Sequence, residues 1–237
     1  MKLVLCIPAY NEEEVIVPTL QAVIRALEAI KGLVWQVMVV DNASSDGTSE
    51  AVKKSNLPNV SLLSLSEKGK GYAIRAAAEV VGEGLFGFID ADLSADPRAI
   101  DNLLAEIHKG ADIAIGSRLL DSAVVRRSTL RTASSLFFNT VRRWLLNVRV
   151  RDSQCGLKIM NQQAIELLRQ CRENTWFLDI ELLARAERQG LKIVEVPIAW
   201  DEKHYEGRQS KLSLMRDGVG ALRAFVRIKK RLKGYYG

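Results

Sequence analysis

Leu85-Phe86-Gly87-Phe88-Ile89-Asp90-Ala91-Asp92 runs a short apolar segment straight into two carboxylates within three positions. Four apolar side chains in five residues read as a strand over Leu85–Ile89, buried on both faces. Two acids so close raise one another's pKa, an arrangement that costs free energy unless a cation relieves it. Side chains at i and i+2 of a strand share a face, so Asp90 and Asp92 are expected to offer oxygens to one Mg²⁺ or Mn²⁺ that also holds a diphosphate. The plainer alternative is a turn with an N-cap for the helix after Pro97, a task that Asp96 fits more directly.

The same rhythm extends on both sides. Strands are expected at Leu3–Ile7, Trp35–Val40, Val60–Leu65 and Asp112–Ile115, with helices near 13–30, 48–55, 70–82 and 97–109 between them. Strand–helix alternation with near-continuous apolar strands predicts an α/β fold, Rossmann-like, with a mostly parallel central sheet flanked by helices. Ligands of such sheets bind beyond the carboxyl ends of the strands. After Ser117 the pattern changes to an Arg-rich amphipathic helix around 127–147, then a loop and strand near 152–160. Helices around 161–171 and 177–189, a late strand Leu191–Trp200 and a final helix at 211–232 complete the chain. There are no repeats and no Pro/Gly-rich linker, so 1–237 reads as a single domain with its second half completing the site.

Length and composition agree: 237 residues, 48% of them hydrophobic and 26% charged, suit one large domain with its own core. Met1–Pro8 passes directly into polar residues, unlike a signal peptide. No apolar stretch approaches the ~20 residues of a membrane span, so a cytosolic or peripheral location is expected. Cys6, Cys155 and Cys171 form no CxxC pair, which argues against a disulfide framework or a zinc knuckle.

The net charge of +6 is unevenly spread. Residues 1–117 hold 10 basic and 16 acidic side chains, 118–158 hold 9 and 2, and 203–237 hold 10 and 2. Solvated helix faces account for either basic block alone. Nucleic acid is disfavoured by 6% aromatics and by the lack of any RNP or zinc-finger signature. An anionic membrane surface or a phosphorylated acceptor fits the asymmetry better.

Other polar motifs stand at strand ends. Pro8-Ala9-Tyr10-Asn11-Glu12 follows the first strand, and Asp41-Asn42-Ala43-Ser44-Ser45-Asp46-Gly47-Thr48 the second. A carboxylate there suits a base or ribose and Tyr10 offers a stacking face, while turns, N-caps and helix-start acids explain the same residues locally. Lys68-Gly69-Lys70-Gly71-Tyr72 precedes a helix, which suits close backbone approach to a diphosphate with a lysine counter-charge, or a plain loop. It is not a Walker sequence.

These blocks, with Asp90-Ala91-Asp92, Gly116-Ser117-Arg118, Asp152-Ser153-Gln154-Cys155-Gly156 and Ser210-Lys211-Leu212, resemble in order the inverting family-2 glycosyltransferases of the GT-A fold. Within them the likeness is to dolichyl- or polyprenyl-phosphate glucosyl- and mannosyltransferases, over about residues 2–215. The resemblance implies a nucleotide-sugar-binding half at 1–117, with Pro8, Ala9, Tyr10, Glu12, Asp41, Lys68, Gly69, Asp90 and Ala91 around a UDP- or GDP-hexose. It implies a metal at Asp90 and Asp92, and an acceptor half at 118–237 in which Arg118, Arg131, Gln154, Arg208, Ser210 and Lys211 gather phosphate charge. Asp92, Arg118, Asp179 and Glu181 are the expected catalytic set. Asp179 and Glu181 serve as a base if the acceptor is a hydroxyl, orient Arg and Lys side chains, or merely start a helix. Ser94 stands where mannosyl relatives often carry a Gln.

A polyprenyl-phosphate acceptor at the cytoplasmic face of a membrane is thus the leading expectation. The basic end of the last helix and Tyr235-Tyr236 would then touch anionic lipid, while Leu212, Met215, Val219, Leu222 and Val226 pack it on the domain. A hydroxyl acceptor, or a non-catalytic nucleotide-sugar-binding module, are the alternatives. His108 reads as a surface residue, and His204 as part of a loop that closes over the site.

Overall fold

The computed structural model describes residues 1–126, 143, 145–201 and 214–234. Its strands are β1 (Lys2–Ala9), β2 (Val34–Asn42), β3 (Val60–Leu65), β4 (Leu85–Phe88), β5 (Ile113–Ser117), β6 (Val124–Arg126), β7 (Lys158–Met160), β8 (Ile193–Pro197) and β9 (Ala199–Asp201). The helices are α1 (Ile16–Glu28), α2 (Thr48–Ser55), α3 (Lys70–Val80), α4 (Ala99–His108), α5 (Gln162–Gln170), α6 (Leu178–Arg188) and α7 (Leu214–Gly234).

Seven strands form the central sheet in the order β3-β2-β1-β4-β7-β5-β8. β1 is apolar on both faces and almost wholly buried, so it needs helices above and below. α1 supplies one cover through Ile16, Leu20, Val23, Ile24 and Leu27, the spacing of a single helical stripe. α3 approaches β1 and β2 closely because Ala73, Ala77 and Ala78 face inward. All sheet neighbours run parallel except β7, which lies antiparallel between β4 and β5. Gly87 makes that insertion possible, since a Cβ there would stand 2.9 Å from the Lys158 carbonyl and 3.1 Å from an Ile159 side-chain carbon.

Two expectations need correction. β4 ends at Phe88, and residues 90–93 make a turn with Leu93 at φ 49°. Asp90 and Asp92 therefore do not share a strand face; they project from a reversal just past the strand. The expected strand Leu191–Trp200 is two strands, because β9 leaves the sheet to pair with β6, an element the sequence pattern does not suggest. The expected helix at 127–147 lies mostly outside the described residues, with Leu145 and Leu146 helical at its end. The thiols of Cys6, Cys155 and Cys171 are free and buried, and burial raises each pKa.

β7 carries a charge into the middle of the sheet. Lys158 is wholly buried, opposite Phe88 and Ile115 in the two neighbouring strands. Its ammonium lies 2.8 Å from Asp179 Oδ1 of α6 and 5.3 Å from the centre of the Phe88 ring. Its aligned hydrogen bond goes to the Cys155 carbonyl at 2.6 Å, so the contact with Asp179 is an ion pair and that oxygen accepts no aligned hydrogen bond.

A buried pair broken on one side leaves an uncompensated charge. Lys158→Met is expected to lower the unfolding free energy by about 3 kcal/mol, and Lys158→Met with Asp179→Leu to recover much of the loss. Urea denaturation of the two variants beside the parent protein measures both.

Candidate active site

The loops after β1 and β2 are stitched into one wall. Ala9 lies opposite Asp41 in the parallel register, with Pro8 opposite Val40. Beyond them the Asn11 amide donates to Ser44 Oγ at 3.0 Å, and the Ser45 amide to Asn11 Oδ1 at 2.8 Å. The Glu12 amide donates to Thr48 Oγ1 at 2.8 Å, and the Gly47 amide to Glu13 Oε2 at 2.9 Å. Asp41 is buried and accepts from the Ser44 amide and from Ser49 Oγ. Asn42 Oδ1 takes the Gly69 amide at 2.7 Å, tying this wall to the start of α3. Lys68 bonds the Tyr10 hydroxyl and lies 4.5 Å from its ring centre. Pro8, Ala9, Tyr10, Glu12, Asp41, Lys68 and Gly69 thus belong to one neighbourhood at the carboxyl end of the sheet.

Asp90, Ala91 and Asp92 occupy the centre of that end. Ala91 is buried, and its carbonyl accepts from Thr19 at 2.7 Å, which anchors the turn to α1. The Lys70 ammonium is ion-paired with Asp90 Oδ1. Asp90 Oδ2 fills the space beside Gly156, where any Cβ would collide with it. Asp92 accepts the Ser94 amide at 2.9 Å. Asp92 opens to solvent from a crowded cleft wall; that crowding, and then the charge of Asp90, raise its carboxyl above the usual range. Burial alone would lower the Lys70 ammonium, but Asp90 and then Asp179 outweigh it and raise it.

Two coupled carboxylates, one facing solvent, are a hard-oxygen donor set of the kind Mg²⁺ or Mn²⁺ takes when diphosphate and water oxygens complete the shell. No group of three His, Cys, Asp or Glu suited to a metal exists among the described residues, so Asp90 and Asp92 would hold the ion only together with its ligand.

The glycines before α3 serve a purpose other than the one their sequence suggests. A Cβ at Gly71 would stand 2.6 Å from the Thr175 carbonyl and 2.7 Å from that of Glu173, and one at Gly69 would strike the Asn174 carbonyl. The Tyr72 amide donates to that Asn174 carbonyl at 3.2 Å. The space on the Cβ side of both glycines is therefore filled by the 173–175 loop. Next to this loop, Trp176 is exposed, with its ring centre 4.9 Å from the Lys70 ammonium.

Arg118 is clamped. Its Nε and one terminal nitrogen each donate to Asp152 at 2.7 Å, its amide donates at 2.9 Å, and its guanidinium stacks 4.5 Å from the Trp200 ring centre. Burial would raise the Asp152 carboxyl, but hydrogen bonds from Arg118 outweigh it and hold it below the usual range. Asp90 lies within electrostatic reach of Arg118. Gln154 is half-buried in the loop between Asp152 and Gly156.

Asp179 and Glu181 face inward from the first turn of α6. Asp179 pairs with Lys158, as described. Glu181 accepts the Arg172 and Glu173 amides at 2.9 and 2.8 Å and pairs with Arg185 at 3.0 Å and Arg231 at 3.5 Å. Glu173, also buried, takes Arg227 and Arg231 of α7 at 3.0 Å each. Arg131, His204, Arg208, Ser210, Lys211 and Tyr235-Tyr236 lie outside the described residues.

Asn42, Asp152, Lys158 and Glu173 were missed as site-building residues. Lys158 had a signal, a lone lysine in an otherwise apolar Leu157–Met160 run. Asn42 and Glu173 had none, because their partners are more than 25 residues away.

Residues 4–168 match the family model described as Glycosyl transferase family 2. Glycosyltransferase AglD of Haloferax volcanii is 31% identical over 220 residues, covering 90% of this chain and 35% of AglD. The dolichyl-phosphate beta-glucosyltransferase of Saccharomyces cerevisiae is 30% identical over 248 residues, covering 94% of this chain and 72% of that protein. Polyprenol monophosphomannose synthase of Mycolicibacterium smegmatis is 30% identical over 207 residues, covering 83% and 76%. The chain thus spans only 35% of the length of AglD, the rest of which has no counterpart in it.

Among solved structures, glucosyl-3-phosphoglycerate synthase from Mycobacterium tuberculosis in complex with UDP superposes with a TM-score of 0.70 at 19% identity, covering 97% of this chain and 80% of that one. The same enzyme with Mn²⁺, UDP and glucosyl-3-phosphoglycerate gives 0.69. At that identity the likeness establishes the GT-A fold. With well over half of its length inside the family model and 94% of it similar to the yeast glucosyltransferase, the chain carries a glycosyltransferase domain and belongs to glycosyl transferase family 2.

Proposed function

We propose that this chain transfers a hexose, glucose or mannose, from a UDP- or GDP-sugar to a polyprenyl phosphate at a membrane surface, with Mg²⁺ or Mn²⁺ bound at Asp90 and Asp92. The observation that carries the reading is the Asp90–Asp92 turn at the end of β4, between the β1–β2 loop wall and the Arg118–Asp152 clamp. Curated relatives named for dolichyl-phosphate glucosyl transfer and polyprenol monophosphomannose synthesis support the acceptor class. Crystals of the structural neighbour with Mn²⁺ and UDP support the donor and metal class.

When bound, the ion neutralises charge developing on the departing diphosphate. The protein's own residues do the rest. Tyr10, Glu12 and Asp41 form the wall for the nucleoside, with Pro8 and Ala9 setting its floor. On the donor side, Lys70 is ion-paired with Asp90 and Lys68 is bonded to the Tyr10 hydroxyl. Arg118, held rigid by Asp152, supplies a fixed positive field toward the acceptor phosphate, and Gln154, Arg131, Arg208, Ser210 and Lys211 are assigned to the same acceptor side.

The acids on α6 favour a phosphate acceptor. A sugar hydroxyl needs a general base, whereas a lipid phosphate monoester, with a second pKa of ~6, is already largely anionic at neutral pH. Asp179 is committed to Lys158, and Glu181 to two backbone amides and two arginines. Neither stands as a spare proton acceptor, so we assign both to holding charge and packing rather than to proton transfer. Turnover then rests on in-line positioning and electrostatic stabilisation.

Among the described residues no helix is long and apolar enough to cross a membrane. α7 packs on the domain through Ala224, Phe225, Ile228 and Leu232 and not, as expected, through Leu222 and Val226, which are exposed beside basic residues on a face suited to peripheral contact with anionic lipid.

A thermal-shift panel of UDP, GDP and their hexose conjugates, with and without Mn²⁺, tests the donor. The true nucleotide at a hundred times its Kd raises stability by ~2.7 kcal/mol, and a uniform absence of shift would remove the reading. In transfer assays to a polyprenyl phosphate, Asp92→Asn is expected to lower kcat/KM roughly a hundredfold or more. Asp179→Asn is expected to depress the melting temperature while leaving the pH–rate profile in shape; a large fall in rate with loss of a limb on the low-pH side of that profile would instead make Asp179 a general base.

A further inference from the structure

Lys70 occupies an unusual position for a lysine. It is the first residue of α3, where the helix dipole disfavours a positive charge. Its side chain is 11% exposed, paired with Asp90, faced by Trp176 and raised in pKa by Asp90, Asp179 and Asp92 together. The backbone beneath it is fixed, because the 173–175 carbonyls fill the space beside Gly71 and the Tyr72 amide is bonded to Asn174. Above that fixed point the four-carbon stem has several rotatable bonds, and Trp176 on its open side is itself exposed.

An ammonium on Asp90 Oδ1 and a divalent ion using the same carboxylate would be two cations within a few ångströms of each other. The other Asp90 oxygen is packed against Gly156, so the carboxylate has little room to serve both. A diphosphate arriving at the cleft changes this balance, since it offers Lys70 new anionic oxygens and offers the divalent ion further ligands.

Building on the donor reading above, we propose that Lys70 is the resident cation of Asp90 in the donor-free protein and that the diphosphate exchanges it for a divalent ion. Metal and nucleotide then bind as a coupled pair. Each raises the affinity of the other by the same factor, and a nucleoside monophosphate, with one phosphate too few to hold both cations, produces little of this coupling. Lys70 in this role is a gate on Asp90 as well as a counter-charge to the leaving group.

Mn²⁺ titrations of the whole protein followed by electron paramagnetic resonance, alone and with UDP, GDP, UMP or GMP, test it without any turnover. The parent protein is expected to bind Mn²⁺ weakly alone and more tightly with one of the diphosphates. Lys70→Gln is expected to raise the nucleotide-free Mn²⁺ affinity roughly tenfold and to shrink the gain from diphosphate, while Lys70→Arg keeps the parent's weak nucleotide-free binding. Unchanged or weaker nucleotide-free binding in Lys70→Gln overturns the exchange. Asp90→Asn gives an independent check that does not depend on the Lys70 variants folding. Because Asp90 is already occupied in the donor-free protein, this change should spare nucleotide-free Mn²⁺ affinity and abolish only the diphosphate-dependent gain; loss of both overturns the proposal. Failure of the parent to bind Mn²⁺ with either diphosphate would remove the donor reading and the exchange together, whereas a parent that binds normally beside an unresponsive Lys70→Gln removes the exchange alone.

Discussion

The acids gathered near the carboxyl ends of the central strands repel one another, and the fold around them is arranged to supply cations from elsewhere in the chain. Lys158 in β7 meets Asp179, Lys70 at the start of α3 meets Asp90, and Arg118 after β5 meets Asp152. Each basic partner comes from a different element, and each is largely buried. A charge in such surroundings is tolerable only with its partner in place, so these contacts fix how the elements meet as well as satisfying the acids. Asp92, beside these three paired acids, opens to solvent, and among the described residues no cationic side chain is ion-paired with its raised carboxyl. That imbalance is what makes this turn the place proposed above for an external cation.

A second set of charges ties the end of the chain to the same region. Glu173 and Glu181 together receive Arg185, Arg227 and Arg231, the last two from α7. Glu173 lies in the stretch whose carbonyls press on Gly71, and Phe177, just beyond it, meets Phe225 of α7 edge-on at 6.2 Å. The C-terminal helix is therefore braced against the loop that holds α3 and Lys70. Arg227 is half-exposed, so its share in this bracing is weakened by solvent, and Glu181 with Arg185 forms the tighter part.

Much of the frame was legible in sequence because it depends on local pattern. β3 and α2 fall at their expected bounds, and β1, β2, β5, α1 and α4 within a few residues of theirs, since runs such as Leu3–Ile7 leave little choice of conformation. The shortest elements escaped. β6 and β9 have three residues each and are defined by pairing with each other rather than by composition. The i and i+2 geometry for Asp90 and Asp92 failed because it extended the strand past Phe88, where the chain already turns. The glycines at 69 and 71 correctly signalled close backbone approach, but a single sequence does not say what approaches, and here it is a loop about a hundred residues later.

The site draws on residues both inside and beyond the stretch that matches the family model. The family match ends at residue 168, after β7 and within α5, so it contains the β1–β2 wall, Lys70, the Asp90–Asp92 turn and the Arg118–Asp152 clamp. Glu173, Trp176, Asp179, Glu181 and the α7 arginines all lie beyond it. Yet the residues beyond 168 are those that close over the start of α3 and neutralise Lys158 and the arginines behind the site. A frame that lies inside the family match is thus completed by a segment outside it. In such an arrangement the electrostatic environment of the Asp90–Asp92 turn depends in part on that later segment, since Asp179 of α6 acts on Lys70, the partner of Asp90.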